Sequence, residues 1–151
     1  MPTTPPPSSD DEPSYDRPEG WTDRPLKPFS IATFALPSVD GAVAEVTISQ
    51  VGGGLAANAG RWFGQAGLAP PSSPDELAQN LKSVDGAQGD AKMMVLSKDE
   101  EPGTKTLVIV AMQADGRDWY IKYTGTRKDW GQHRAAFESL VKSIDFSGES
   151  Q

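Results

Sequence analysis

The sequence contains no cysteine and a single histidine, His133, in 151 residues. The first absence removes disulfide frameworks, thiolate nucleophiles and zinc sites built on sulfur. The second removes multi-histidine metal sites and leaves one imidazole as a candidate base. Long apolar stretches are missing as well: no run approaches the roughly 18–20 residues that cross a bilayer as a helix. The N-terminus lacks the basic and apolar regions of a secretory signal, so the chain as it stands reads as soluble. No clustered Lys and Arg offset the formal net charge of −7. Nucleic-acid binding that displaces counterions needs such clusters, so no nucleic-acid partner is expected.

What charge there is sits unevenly. Residues 1–19 hold six of the 13 prolines and five carboxylates against Arg17, a net −4, which leaves −3 for everything after them. A segment with almost no aliphatic side chain cannot bury enough apolar surface to offset the entropy of ordering it. The composition therefore predicts a solvated acidic linker over 1–19, partly polyproline II, followed by a single domain over 20–148.

Within that domain the apolar periodicity switches between two and about 3.6. Residues 29–36 and 43–49 read as strands joined through Ser38-Val39-Asp40-Gly41, a hairpin signal. A helix is expected over 55–66 and a short one over 75–81, capped by Ser73 or Asp75. Short strands follow over 83–87 and 91–97, broken by Gly86 and Gly89. Residues 106–112 form the most apolar strand, expected to be central and covered on both faces. Asp115-Gly116 then turns the chain into 119–124. The last helix, 128–143, brings Trp130, Phe137, Leu140, Val141 and Ile144 to one face. Consecutive hairpins flanked by helices indicate an α+β fold, an antiparallel β-sheet with helices packed on its faces.

The chemical motifs are sparse. Gly52-x-Gly54-x-x-Ala57 stands between a strand and a helix, as a dinucleotide-binding loop does. No strand ending in an acidic residue follows about twenty positions later, so a glycine turn redirecting the chain is the plainer account. On the helix itself, Asn58, Arg61 and Gln65 fall within an arc of about 60° beside Trp62. Most other positions there are apolar or small, with Gly60 and Gly64 opposite, so a largely buried helix is expected, with another backbone approaching the glycines. Two amides and a guanidinium in a row could line a groove for a carboxylate, phosphate or peptide carbonyl. They could equally pair within the protein, as buried polar groups usually do. His133 lies four residues before Phe137, at the edge of the core face, with no nucleophile motif around it. Asp99-Glu100-Glu101 is a carboxylate run without the spacing of a calcium loop. Neither a metal site nor a cofactor is expected, and Trp119, Tyr120 and Tyr123 lack the basic surround of a nucleic-acid platform.

Gly20-Trp21 before the first strands, and the run Asn58-x-x-Arg61-Trp62-x-x-Gln65-x-Gly67, resemble uncharacterised bacterial envelope proteins of planctomycete type. Many of that group are predicted lipoproteins. The later Trp119-Tyr120-Ile121-Lys122-Tyr123-Thr124-Gly125, followed by an amphipathic helix and Ser143-Ile144-Asp145-Phe146, resembles the close of a PsbP-like domain. The resemblance spans about residues 20–147. It implies an α/β/α sandwich and an accessory or scaffolding role without enzymatic activity, as in photosystem subunits and a nuclear-import factor that binds a small GTPase. Lipoprotein relatives carry a lipobox cysteine upstream. Attachment to a membrane is accordingly expected only through a lipid anchor supplied ahead of this sequence.

The expectation is a monomeric, non-enzymatic binding or scaffolding domain in the periplasm or cell envelope, with an unidentified protein or small ligand as partner. A ligand-binding or catalytic domain using Asn58, Arg61, Gln65 and Trp62, with His133 as helper, is the first alternative. A cytoplasmic accessory protein is the second.

Overall fold

The computed structural model describes residues 15, 18, 20–24, 30–36, 44–50, 54–84, 90–99, 101, 103–114 and 117–144. In chain order these form β1 (Thr22–Asp23), β2 (Ser30–Leu36), β3 (Ala44–Gln50), α1 (Gly54–Gln65), α2 (Pro74–Gln79), β4 (Lys82–Ser83), β5 (Asp90–Ser97), β6 (Lys105–Ala114), β7 (Arg117–Thr126) and α3 (Arg127–Ser143). The seven strands make one sheet in the order β1-β2-β3-β7-β6-β5-β4, with every neighbouring pair antiparallel.

Both hairpins expected from the sequence are present. Strand β2 pairs with β3 through Leu36↔Ala44, and β6 pairs with β7 down to Ala114↔Arg117. The Asp-Gly turns themselves, like Gly52, Gly86 and Gly89, lie outside the described residues. Strand β6 is covered on both faces as expected, but β7 takes the middle of the sheet. The reason is its pairing with β3 from Glu45↔Thr124 to Gln50↔Trp119, a contact between distant segments that no local pattern announces.

Because strand side chains alternate, each strand contributes to two layers. Val46, Ile48, Val108, Val110, Ile121 and Tyr123 point to one face, where they meet Trp130, Phe137, Leu140 and Val141 of α3. Leu107, Ile109, Met94, Leu96 and Tyr120 point to the other and meet Ala59, Trp62 and Phe63 of α1 and Leu77 of α2. The result is a three-layer α/β/α sandwich. Tyr15, within the stretch read as linker, packs edge-on against Phe34 at 5.8 Å between ring centroids.

The helix ends follow local chemistry. Ser73 caps α2, its hydroxyl accepting from the Glu76 N–H. Thr126 is the last residue of β7 and also caps α3, accepting from the Asp129 N–H at 3.1 Å. Burial and the Asp129 carboxylate push the Tyr123 phenol above its ordinary range. That phenol donates to the Thr126 carbonyl at 3.0 Å. Gly125 makes room for it, since a Cβ there would overlap the Tyr123 hydroxyl. Among the described residues no helix is long and apolar enough to cross a membrane.

Candidate functional site

Helix α1 is buried on one face only. Asn58, Ala59, Trp62, Phe63 and Ala66 are buried, whereas Ala57, Arg61, Gly64 and Gln65 are exposed. The expectation of a largely buried helix with one polar stripe is therefore corrected. So is the close backbone approach to its glycines: a Cβ on Gly64 would meet nothing within 4 Å, and one on Gly60 only the Pro70 side chain at 3.9 Å. Those positions face outward, where a small side chain is tolerated without being required.

The structure gives each residue of the Asn58/Arg61/Trp62/Gln65/Gly67 pattern a place. Arg61 Nη2 donates to Asn58 Oδ1 at 2.9 Å, one helical turn back. Asn58 also faces the buried Tyr120 hydroxyl, without a well-formed hydrogen bond between them. Burial raises the Tyr120 phenol above its ordinary value, and Asn58 offsets part of that rise. Trp62 stands edge-on to the Tyr120 ring at 5.0 Å. Gln65 Oε1 accepts from Lys122 Nζ of β7 at 2.8 Å. Gly67 has φ +80°, with its N–H bonded to the Gly64 carbonyl and the Leu68 N–H to the Phe63 carbonyl. That is a Schellman ending, which needs a residue at ease in the left-handed region. The pattern thus fastens α1 to the sheet and then stops it.

His133 does not join this group. It lies on α3, across the sheet from α1, where it is half-buried and meets the Trp21 ring edge-on at 6.4 Å. The pairing of Arg61 with His133 as a catalytic couple is excluded by the sheet between them. Boundary packing, the other reading of the histidine, is what the ring contact shows. In the turn after β5, Asp99 Oδ1 accepts from the Glu101 N–H at 2.9 Å and from the Thr104 hydroxyl. These bonds, led by the hydroxyl, hold the Asp99 carboxyl below its ordinary 3.8. The carboxylate therefore organises its own turn. Trp119 and Tyr123 point to the α3 face and Tyr120 to the α1 face, all buried, so they form no exposed platform.

A cavity of about 350 Å³ opens elsewhere, between α3 and β5. Its lining is Val95, Arg127, Trp130, Gly131 and Arg134. The α3 members recur at i, i+3, i+4 and i+7, the spacing of one helix face. Val95 is 41% exposed, the one large hydrophobic side chain so placed among the described residues. Arg134 Nε donates to Glu138 Oε2 at 3.1 Å along the outer surface of the helix.

No protein-family model matches the chain. No curated protein matches its sequence. Among solved structures it is similar to a crystal structure from Bacteroides thetaiotaomicron VPI-5482, with a TM-score of 0.55 and 13% identity over 91% of this chain. The match covers 46% of that protein, so the chain spans a little under half its length. It is also similar to the solution structure of cyanobacterial PsbP (CyanoP) from Synechocystis sp. PCC 6803, with a TM-score of 0.47 and 14% identity, over 91% of this chain and 87% of that one. At such identity the first likeness is one of fold.

Sequence reasoning singled out the α1 stripe and passed over the α3 groove. The helical repeat of Arg127, Trp130 and Arg134 was a usable signal. Trp130 masked it, because a tryptophan at core spacing already has an explanation.

Proposed function

We propose that this chain is a non-enzymatic, PsbP-like binding or scaffolding domain of the bacterial cell envelope, held on an acidic, proline-rich spacer. The observation that carries the non-enzymatic part is the disposition of the polar residues. Arg61 is bonded to Asn58 on α1, Gln65 to Lys122 of β7, and the single imidazole stands on the far side of the sheet. A helix fastened in this way supplies a firm surface and no convergent acid, base and nucleophile. The composition of residues 1–19 supports the spacer, and the resemblance of the 58–67 pattern to bacterial envelope proteins supports the compartment.

Two measurements test this. Fractionation of cells expressing the full-length gene should place the protein in the envelope fraction; purely cytosolic protein would sink the compartment. The double variant Arg61→Ala/Gln65→Ala should have a lower Tm and fail to complement a deletion of the gene only as far as that lower Tm explains. Failure to complement at unchanged Tm would favour a small-ligand site on the stripe instead.

A further inference from the structure

We propose that the groove between α3 and β5 binds an extended acidic peptide segment, which adds to the sheet along β5 and lays carboxylates against Arg127 and Arg134. This rests on the reading of the chain as a binding domain and gives that reading its partner chemistry. Three observations meet here.

The first is an open strand edge. Strand β4 has two residues, and its ladder covers only Lys92 and Met93 of β5. Just beyond it, the Val84 N–H donates to the Ala91 carbonyl at 3.0 Å. Backbone groups alternate in direction along a strand, so Ala91, Met93, Val95 and Ser97 all turn theirs toward this edge. Past Met93 no strand among the described residues meets them. Such an edge is a template for another strand, which is how many domains take up peptides.

The second is where the side chains point. Val95 shares the α3 face with Ala91 and Met93, and its exposed side chain forms one wall of the cavity. In an antiparallel pair, the residue opposite Val95 directs its own side chain to that same face. It therefore enters the groove, against the edge of Trp130 and over Gly131, where a Cβ would meet nothing within 4 Å.

The third is charge. Two guanidiniums border the groove about two helical turns apart, roughly 10 Å along the axis. Among the described residues Arg134 is bonded to the Glu138 carboxylate, through an exposed i,i+4 pair of a kind that contributes little and exchanges readily. A carboxylate entering the half-enclosed groove forms the shorter, stronger charge-assisted bonds that Arg favours. Charge complementarity thus selects an acidic segment, and the strand edge selects an extended one.

The test is a titration of the full chain, ¹⁵N-labelled, with a synthetic eight-residue peptide alternating Glu and Val. Shifts should concentrate at Met94–Ser97 and Arg127–Arg134, with slowed amide exchange at Val95 and Ser97. The variant Arg127→Glu/Arg134→Glu should weaken binding at least tenfold. A peptide N-methylated at every second residue, in the register that faces β5, should also bind at least tenfold more weakly. That arm leaves the protein untouched, so misfolding of a variant cannot imitate it. Shifts that map elsewhere, indifference to N-methylation, or equal competition by free glutamate would overturn the proposal. Dimerisation through the same amides without peptide would assign the edge to a second copy and overturn it too. Fractionation and the α1 variants involve neither peptide nor groove, so a negative titration removes the groove assignment and leaves the binding-domain reading standing.

Discussion

The two faces of the sheet hold their helices by different means. On the α3 face the apolar cluster runs unbroken from Trp21 and Phe34 on the β2 side to Leu140, Val141 and Ile144, and aromatic rings link up within it. Tyr123 meets Trp130 at 5.3 Å, and Trp130 meets Phe137 at 5.2 Å. On the α1 face the apolar surface stops at β7. Beyond it, β3 presents Glu45, Thr47 and Ser49, half-buried, and β2 presents Thr33, whose buried hydroxyl has no partner among the described residues. Helix α1 therefore sits over β5, β6 and β7, and the Lys122–Gln65 bond marks the border of what it covers. A broad apolar area positions one helix; a smaller apolar area, bordered by a polar bond, positions the other.

Four comparisons would break or sharpen this contrast. The largest effect should come from Phe137→Ala, which empties the middle of the unbroken cluster: about 3–5 kcal/mol by chemical denaturation, with Phe63→Ala on the smaller cluster near the bottom of that range. Equal costs would erase the distinction. Next comes a pair of added methyls. Gly125→Ala drives a Cβ into the enclosed Tyr123 ring and should cost about 1–3 kcal/mol. Gly64→Ala, in open space on α1, should raise stability by about 0.5–1 kcal/mol. Adding Tyr123→Phe to Gly125→Ala should recover part of the loss, because it removes the atom struck first.

The polar bonds should yield smaller numbers. Arg61→Ala deprives Asn58 of a donor and should cost about 1 kcal/mol; a cost of nothing would mean that the bond does not help to seat α1. Smallest is a pH effect at the Asp99 turn. Its carboxyl is held below the ordinary 3.8, so the unfolded chain takes up its proton first as pH falls. The turn's contribution is complete above that value and is lost as pH drops through the lower folded value. Following the Asp99 carboxyl by NMR between pH 6 and 2 checks the sign, and Thr104→Val should bring the midpoint back up.

Much of the fold was written in local pattern. Alternation along 43–49 marked β3 as polar on one side, and the Trp130/Phe137/Leu140/Val141 repeat marked the core face of α3. Ser73 was legible as one of two candidate caps, with Asp75, and the structure selects the serine. What escaped the sequence was long-range. Nothing in 44–50 or 117–126 says that these strands are neighbours, and that pairing is what makes β7 the middle strand. The two-residue strand β1 is too short to produce a period, and β4 only overlaps the start of the strand expected over 83–87, of which 85–87 lie outside the described residues. The α1 stripe was visible as a stripe, but its partners were not: Lys122 stands 57 positions away in sequence. The α3 groove was hidden for the same reason, since its second wall, Val95, belongs to a strand on the far side of β6.

Thr126 ends β7 and caps α3, so no residue lies between strand and helix. A hinge needs a few residues free to absorb a change in backbone angle, and this junction has none. Helix α3 and the middle strand consequently move as one lever.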